Sequence, residues 1–280
     1  MDLDLACKVA VAAARAAGAL ILDGAAGKVE ELVVSAKGTG GDVVTSLEPS
    51  AESCIVHHLR GQFPAHCIAT EESGPLDGTD KHHTWVVDPL DGSNNVAIGL
   101  HAFVVGIALC EHELPVLGVV HDPVAGETWT AIRGRGTAMR PVARDLADCG
   151  PVVAWTQGHG VARNDPTARS LRFALESRSR RVLQTWAPLV SWVMLARGAI
   201  DGFVGYCPEP WEMPAGTLLA REAGVAIVGL DGSRFDDRLE AVHERRSFVA
   251  ARPEMIGDLL DWAREGDAIR KKVATLLPGR

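Results

Sequence analysis

The spacing of apolar and polar residues predicts helices and strands that alternate along the whole chain. Apolar residues recur at helical intervals over the segments 4–23, 45–60, 167–176, 189–196, 214–223 and 254–277. Shorter apolar runs predict strands at 32–35, around Ile68, and at 85–88, 103–110, 117–120, 128–132, 152–155, 203–204 and 225–230. The glycine-rich stretch 38–41 is predicted to be a loop, and the turns between residues 103 and 132 indicate antiparallel pairing there. The sequence therefore predicts a mixed α and β fold.

Near residues 140–150 the predicted elements change from strands joined by turns to alternating strands and helices. This change predicts two halves, 1–145 and 146–280, within one compact globular unit. The 280 residues can bury a substantial core, and 47% hydrophobic with 23% charged residues is ordinary globular composition. The chain carries 28 Lys+Arg against 36 Asp+Glu, which gives a formal net charge of −8. This acidic balance argues against a nucleic-acid polymer or an anionic membrane as partner, because both attract basic surfaces.

The sequence also predicts a cytoplasmic location. No uninterrupted apolar run approaches the roughly 20 residues that cross a bilayer, and the N-terminus lacks the basic region of a signal peptide. The six cysteines are dispersed and form no Cys-x-x-Cys pair. That pattern favours reduced thiols over a disulfide framework or a zinc site.

The densest cluster of chemically active residue types follows the strand predicted at 85–88. That strand brings Asp88 to its end, and Asp91 comes three residues later. Gly92 and Ser93 then offer backbone N–H groups where a helix could begin. Carboxylates suit hard divalent cations and helix-terminal amides suit anions, so phosphate with magnesium fits this mixture. The structural alternative is an N-capped turn, for which Asp-Gly and Ser-Asn pairs are common.

Two further acidic segments are ambiguous when each is taken alone. Glu71 and Glu72 follow an apolar run, where adjacent acids usually form a solvated loop. Glu212 precedes Pro214 at a predicted helix start, where an acid interacts favourably with the helix dipole. Their functional interpretation depends on how they combine with the cluster at Asp88.

Taken together, the ordered motifs resemble the inositol monophosphatase family of magnesium-dependent, lithium-sensitive phosphatases. The resemblance rests on Lys37 with Asp42-Val-Val-Thr45-Ser-Leu-Glu48, on Glu71-Glu72, on Asp88-Pro-Leu-Asp91-Gly92-Ser93, and on Trp211-Glu212-Met-Pro-Ala215-Gly216. It extends from the first predicted helix to about residue 250. It implies a layered αβαβα sandwich with metal ions at the junction of its two halves.

The resemblance also implies a set of magnesium ligands, which consists of acidic side chains and one backbone carbonyl. These are Glu71, Asp88, Leu90 through its carbonyl, Asp91 and Glu212. Two or three ions fit such a set, and lithium is expected to inhibit. Phosphate monoesters hydrolyse extremely slowly without help, and paired ions can stabilise both the entering and the leaving oxygen.

Three further positions carry the implied catalytic and phosphate-binding roles. The amides of Gly92 and Ser93 would hold the phosphate. Ser93, oriented by Glu48, would act together with Glu71 to position and activate the attacking water. The implied reaction is direct hydrolysis of a small phosphate monoester by metal-activated water, without a phosphoenzyme.

Two departures from the family pattern concern the acids themselves. Glu48 and Glu212 stand where the family has aspartate. The extra methylene moves a carboxylate by roughly 1 Å, and errors of that size can cost about 10²-fold in rate. A catalytically weak homologue that binds metal and a phosphorylated metabolite for regulation is therefore the alternative function.

The substrate region departs further from the inositol-binding members. Gly205 stands where those members have a glutamate, Gln157 opens the second half, and Trp186 with Pro188 replaces a Gly/Ser-rich helix start. The Trp186 ring could stack on a sugar or a base, or it could be part of the core. We expect Gln157, Trp186 and Gly205 to surround the substrate. A sugar phosphate or a 3′-phosphonucleotide is then a better candidate than inositol phosphate, and a homodimer is expected by analogy with the family.

Overall fold

The computed structural model describes residues 1–27, 32–37, 42–143, 149–239 and 246–276. The predicted loop at 38–41 and the predicted boundary at residue 145 lie outside the described residues. The division into halves 1–145 and 146–280 therefore stays a prediction.

In the described residues, six of the seven helices form where the apolar spacing predicts them, and the seventh is a short helix that follows Gly92. Two of them begin at a capping side chain. The helices are α1 (Leu3–Ala25), α2 (Leu47–Gln62), α3 (Ser93–Ala97), α4 (Pro166–Arg178), α5 (Pro188–Ala196), α6 (Met213–Glu222) and α7 (Ile256–Leu276). The Asp2 carboxylate accepts hydrogen bonds from the first backbone amides of α1, and Asp165 accepts one at the start of α4. Such caps satisfy amides that have no partner within the helix.

The strands form two large sheets and one small ribbon. They are β1 (Val34–Lys37), β2 (Asp42–Thr45), β3 (His66–Thr70), β4 (Gly74–Leu76), β5 (Asp80–Asp91), β6 (Val104–Glu111), β7 (Leu114–Asp122), β8 (Glu127–Ile132), β9 (Val152–Gln157), β10 (Arg181–Leu183), β11 (Gly202–Tyr206), β12 (Ala226–Gly229) and β13 (Phe248–Ala251). The six-stranded sheet has the order β4-β3-β5-β6-β7-β8, the five-stranded sheet β10-β9-β11-β13-β12, and β1 pairs with β2. The antiparallel pairing predicted for residues 103–132 is confirmed by β6, β7 and β8.

Three apolar cores stack these elements into five layers. Helices α1 and α2 cover the outer face of the six-stranded sheet. Helices α5 and α6 lie between the two sheets and pack against both. Helices α4 and α7 cover the outer face of the five-stranded sheet. The predicted αβαβα sandwich is therefore confirmed.

The long first helix corrects one sequence expectation. By length and composition, α1 is the one helix in the described residues that could cross a membrane. In this structure one of its faces is instead buried within the core below the six-stranded sheet. The buried residues are Ala6, Ala10, Ala13, Ala14, Ala17, Gly18, Ile21 and Gly24. Small side chains allow close packing, and an apolar core helix meets the same criteria of length and composition as a membrane span.

Four strands of the described residues were not predicted, and each has a physical reason. β2 lies between the loop predicted at 38–41 and the helix predicted from residue 45, and its four residues are too few for a periodic pattern. β4 and β10 contain three residues each, which is too short for a periodic pattern. β13 contains four residues that are all buried, so it lacks the alternation of a half-exposed strand. Its place between β11 and β12 depends on partners 19 or more residues away, which a local pattern does not indicate.

The glycine of the third motif is required by packing between the sheets. A Cβ atom at Gly216 in α6 would lie 2.1 Å from the indole of Trp192 in α5. Trp192 is fully buried and its ring stacks on that of Phe248, with centroids 4.6 Å apart. The contact therefore couples the middle helices to the five-stranded sheet.

We expect Gly216→Ala to lower the free energy of unfolding by about 1–3 kcal/mol, because the added methyl overpacks against Trp192. Gly257→Ala in α7 is the matched control, since nothing lies within 4 Å of the added atom. That control should be neutral or stabilising by up to about 1 kcal/mol. Chemical denaturation followed by circular dichroism measures both, and equal stabilities of the two variants would contradict the packing argument.

Candidate active site

A bulge at the end of β5 places two aspartates on one face of the sheet. Asp88 pairs with Gly106 of β6 and Asp91 pairs with Val104, so three steps on β5 match two steps on β6. In a regular strand, residues three apart point to opposite faces. The extra residue restores the same facing for both carboxylates. The two aspartates of Asp-Pro-Leu-Asp therefore point to the same face only because the strand contains a bulge between them.

The Asp91 carboxylate also binds the start of the buried helix α5. Its Oδ2 accepts a hydrogen bond of 2.6 Å from the backbone N–H of Leu189. Pro188, the first residue of α5, has no N–H to offer. Asp91 thereby fixes the middle helical layer against the end of β5.

Gly92 makes the sharp turn after Asp91 possible. Its φ of 107° lies in the region that favours glycine, and a Cβ atom there would lie 2.9 Å from the carbonyl oxygen of Ala102. Ser93 then begins the short helix α3. The first amides of a helix have no partner within it, so this turn presents N–H groups close to the two aspartates.

A buried glutamate that sequence reasoning missed holds the acidic pair in place. Glu71 follows β3, and its N–H donates to the Val87 carbonyl of β5 (3.2 Å). The Glu52 side chain on α2 accepts hydrogen bonds from the N–H of Glu72 (3.1 Å) and of Ser73 (3.4 Å), and from the Ser73 hydroxyl. Glu52 is 4% exposed. The sequence signal for this role was the position of Glu52 beside the apolar face of the predicted helix 45–60.

Glu212 approaches from the other half of the chain. It precedes the first residue of α6 and is buried, and its side chain makes no capping hydrogen bond. The Glu212 carboxylate therefore does not cap the N-terminus of α6. The Trp-Glu-Met-Pro-Ala-Gly motif thus supplies one buried acid from the middle layer.

These acids line a single cavity of about 450 Å³. Its wall contains Glu71, Asp88, Asp91 and Glu212, together with Leu90, Gly92 and Ser93. The loop that follows β9 and the segment 184–188 complete the wall. Residues from three distant stretches of the chain therefore meet at one concave site.

The acids strongly perturb one another. Burial, followed by the charges of Glu71, Asp91 and Glu212, raises the pKa of Asp88 well above its usual range. Burial also raises the pKa of Asp91 to about 8, although the hydrogen bond from Leu189 opposes that change. Burial and the neighbouring charge of Asp91 raise the pKa of Glu212. Such mutual repulsion indicates a site that is built to receive positive charge.

Comparison with known proteins then identifies the family. The model of the inositol monophosphatase family matches residues 2–265. The chain belongs to the inositol monophosphatase family. It is 34% identical over 230 residues to the Nus factor SuhB of Escherichia coli K12, covering 80% of this chain and 85% of that relative. It is 30% identical over 257 residues to the Nus factor SuhB of Pasteurella multocida, covering 90% and 93%.

Solved structures of the family agree with the fold. The extragenic suppressor protein suhB of Bartonella henselae superimposes with a TM-score of 0.82 at 27% identity, covering 92% of this chain and 98% of that one. The inositol monophosphatase of Anabaena gives a TM-score of 0.79 at 24% identity, covering 95% and 97%.

The two residues expected to act with the water bind to β2 rather than to each other in this family member. The Ser93 hydroxyl donates to the Val43 carbonyl at 2.9 Å. The Glu48 carboxylate accepts hydrogen bonds from the N–H of Thr45 (2.7 Å) and from its hydroxyl. Burial raises the pKa of Glu48 to about 7, although the bonds from Thr45 oppose this. The expected orientation of Ser93 by Glu48 is therefore replaced by two contacts to one strand.

Of the three residues expected around the substrate, two line the cavity and one does not. Gln157 and Trp186 lie in its wall. Trp186 is 54% exposed, which excludes the alternative that it is a core residue. Gly205 is a correction: it is buried in β11, where a Cβ atom would lie 2.2 Å from the Phe248 ring. It makes room for that ring and lines no part of the cavity.

A second group of ligand-type side chains lies at the far end of β5. In the described residues, His66, Asp80 and His83 are the group of three whose ligand atoms lie within 4.8 Å of one another. Trp85 Nε1 donates to His66 Nδ1 (3.1 Å), so a neutral His66 ring carries its proton on Nε2. That nitrogen faces Asp80 and is not free to bind a metal. A hydrogen bond from His83 lowers the pKa of Asp80 to about 2, so this group is a hydrogen-bonded cluster.

The raised pKa of Asp91 predicts how metal-free protein responds to pH. Between its usual value of 3.8 and about 8, folded Asp91 keeps a proton that the unfolded chain has lost. This contribution to stability is present at low pH and is lost as the pH rises through about 8, with a slope of at most about 1.4 kcal/mol per pH unit. Asp91→Asn should therefore flatten the pH dependence of the free energy of unfolding, measured in a chelator.

Asp258→Asn is the control for this experiment, because Asp258 is an exposed acid in the first turn of α7. It should leave the pH dependence unchanged. A slope equal to that of the original protein in the Asp91 variant would contradict the assignment of a buried, proton-retaining carboxyl.

Proposed function

We propose that the protein is a magnesium-dependent phosphatase that hydrolyses a small phosphate monoester. The observation that carries this proposal is the convergence of Glu71, Asp88, Asp91 and Glu212 in one cavity. Their chain order and surrounding motifs match a family of phosphatases. Asp88, Asp91 and Glu212 are buried, and Glu71 is half-buried. The amides of Leu90 and Leu189 donate hydrogen bonds to Asp88 and Asp91, respectively, which hold these two carboxylates in place.

The donor set fits magnesium. Carboxylate and carbonyl oxygens are the ligands that this hard cation prefers, and the Leu90 carbonyl would join the acids. No three of the four acids have ligand atoms as close together as those of the His66 cluster. A wider arrangement suits two ions that share ligands better than one ion held by three carboxylates. Four carboxylates and two such ions would also balance in charge, which would relieve the repulsion among the acids.

The residues of the chain would bind and orient the reactants. The amides of Gly92 and Ser93 at the start of α3 would hold the phosphate. Glu71 and the Ser93 hydroxyl would position the attacking water, and Glu71 would accept its proton. Glu48 would hold the end of β2 in place through its hydrogen bonds with Thr45. When bound, magnesium supplies charge stabilisation at the phosphoryl oxygens.

The wall of the cavity favours a sugar phosphate or a 3′-phosphonucleotide over inositol phosphate. Gly205, which lies outside the wall, supplies no carboxylate for a polyol, whereas Trp186 in the wall supplies an aromatic ring. Inhibition by lithium, a cytoplasmic location and a homodimer belong to the same proposal by analogy with the family.

A second candidate function is regulation through binding alone. Several relatives are named Nus factor SuhB, which describes a factor rather than an enzyme. The glutamates at 48 and 212 also differ from the usual aspartates. Phosphate release over a panel of metabolites, with and without magnesium, distinguishes the two functions. Binding of phosphorylated ligands without magnesium-dependent release from any ester would favour the regulator.

We expect Asp91→Asn to reduce magnesium-dependent phosphate release by at least about 100-fold, because the amide removes a charged ligand. Calorimetry should show correspondingly weaker magnesium binding, while circular dichroism should show an intact fold. Asp258→Asn should change neither property. Original rates in the Asp91 variant would exclude it from the metal site.

The length of the Glu212 side chain provides a separate test. Glu212→Gln should lose most activity, since it keeps the length and removes the charge. Glu212→Asp should remain within about tenfold of the original rate if the backbone accommodates the usual family residue. Loss of all activity in the aspartate variant would show that this backbone is adapted to glutamate. Equal activity in the glutamine variant would contradict a role for the charge.

A further inference from the structure

One part of the cavity wall is not used by the proposed metal chemistry. It consists of the loop after β9, with Arg163, and the segment before α5, with Trp186. Both lie in the same cavity as the acids. A group attached to a phosphate that is bound at the cations and the amides of Gly92 and Ser93 would therefore lie beside this wall.

Trp186 is an exposed aromatic ring held in an unfavourable backbone conformation. It is 54% exposed and has a φ of 53°. A positive φ is uncommon for bulky residues, and strained residues persist where the surroundings determine them. Exposure of the ring provides little packing energy to offset that strain. The ring is therefore a candidate for contact with a ligand.

Hydrogen bonds on both sides fix Trp186 relative to the acids. On one side, Asn95 Nδ2 donates to the Thr185 carbonyl (2.7 Å) and to the Ala102 carbonyl (2.6 Å). On the other side, the Leu189 amide donates to Asp91 (2.6 Å). The backbone segment that carries Trp186 is thus tied to an acid of the cluster and to α3. A rigid segment of this kind can act as a platform at a set place in the cavity.

Arg163 is the one lysine or arginine in the described wall of the cavity. Its guanidinium is exposed and makes no hydrogen bond or ion pair within the part of the chain that the structure describes. Nearby arginines behave differently: Arg172 pairs with Glu176, and Arg178 pairs with Glu265. An arginine left unpaired in a cavity suits a carboxylate or phosphate of a ligand.

We propose that Trp186 and Arg163 form a subsite for the leaving group, which selects phosphate monoesters whose leaving group has a planar ring and a second anionic group. The inference rests on the proposed function and adds the substrate class. The acids and their cations would bind the scissile phosphate, so a second negative group needs its own cation. The ring of the leaving group would stack on Trp186, and the anionic group would pair with Arg163.

Three phosphate esters test the two residues separately. Glycerol 2-phosphate has neither feature, phenyl phosphate has the ring, and 4-carboxyphenyl phosphate has the ring and a second anion. The readout is kcat/KM for each ester with each variant. Comparing ratios between esters cancels differences in intrinsic reactivity, and a purely structural defect would lower all three rates together.

Trp186→Gly tests the platform, and glycine is chosen because it accepts a positive φ without strain. We expect kcat/KM for phenyl phosphate to fall about five- to tenfold while that for glycerol 2-phosphate stays within about twofold. Trp186→Phe should retain most of the preference. An unchanged ratio between the two esters would overturn the role of Trp186.

Arg163→Gln tests the anion contact. We expect kcat/KM for 4-carboxyphenyl phosphate to fall about fivefold with little change for phenyl phosphate. Arg169→Gln is the matched control, since Arg169 is an exposed arginine of α4 outside the cavity wall. An equal effect of the two arginine variants would indicate general charge attraction and would overturn the subsite.

Binding measurements separate this inference from the proposed function. If none of the three esters is hydrolysed with magnesium, the phosphatase assignment fails for this class. The subsite is then tested by calorimetry with phenylphosphonate and 4-carboxyphenylphosphonate. Tighter binding of the carboxylated compound that Arg163→Gln removes would support the subsite. Equal binding of both compounds by the original protein would overturn it.

Discussion

The central constraint in this structure is the burial of like charges. Asp88, Asp91 and Glu212 are nearly inaccessible to solvent and face Glu71 in one cavity. Each carboxylate loses hydration and gains repulsion there, which raises the pKa values of the buried members. A protein retains such an arrangement only when the surrounding structure holds it. Cations supplied from outside the chain would turn this local cost into binding energy.

The architecture supplies the restraints that the acids need. The bulge in β5 turns two carboxylates to one side, and Glu52 holds the turn after Glu71 from α2. Asp91 binds the start of α5, while α6 delivers Glu212 from the same middle layer. Both sheets pack on that layer. Packing between the sheets and the geometry of the site are therefore coupled, because α6 carries Gly216, which packs against Trp192, and begins directly after Glu212.

Local pattern predicted most of the elements because their apolar spacing is regular, as in α1 and in β6 to β8. It also predicted the convergence of the acids, although only through the ordered motifs and the resemblance that they carry. The failures concern information that is not local. β13 depends on partners that are distant in sequence, Gly205 is explained by the Phe248 ring, and Glu52 acts on a turn 20 residues away. None of these contacts produces a periodic pattern of apolar residues in the sequence.

The position of Glu212 suggests how a longer acid can occupy a site where the family has aspartate. An aspartate at the start of a helix commonly accepts a hydrogen bond from the first amides, which would hold its carboxylate against the helix end. Glu212 makes no such bond. Its carboxylate instead lines the cavity, where burial, followed by the charges of Asp91, Glu209 and Glu71, raises its pKa. Because the start of α6 does not hold this carboxylate, the longer side chain can reach the cavity that the other acids line.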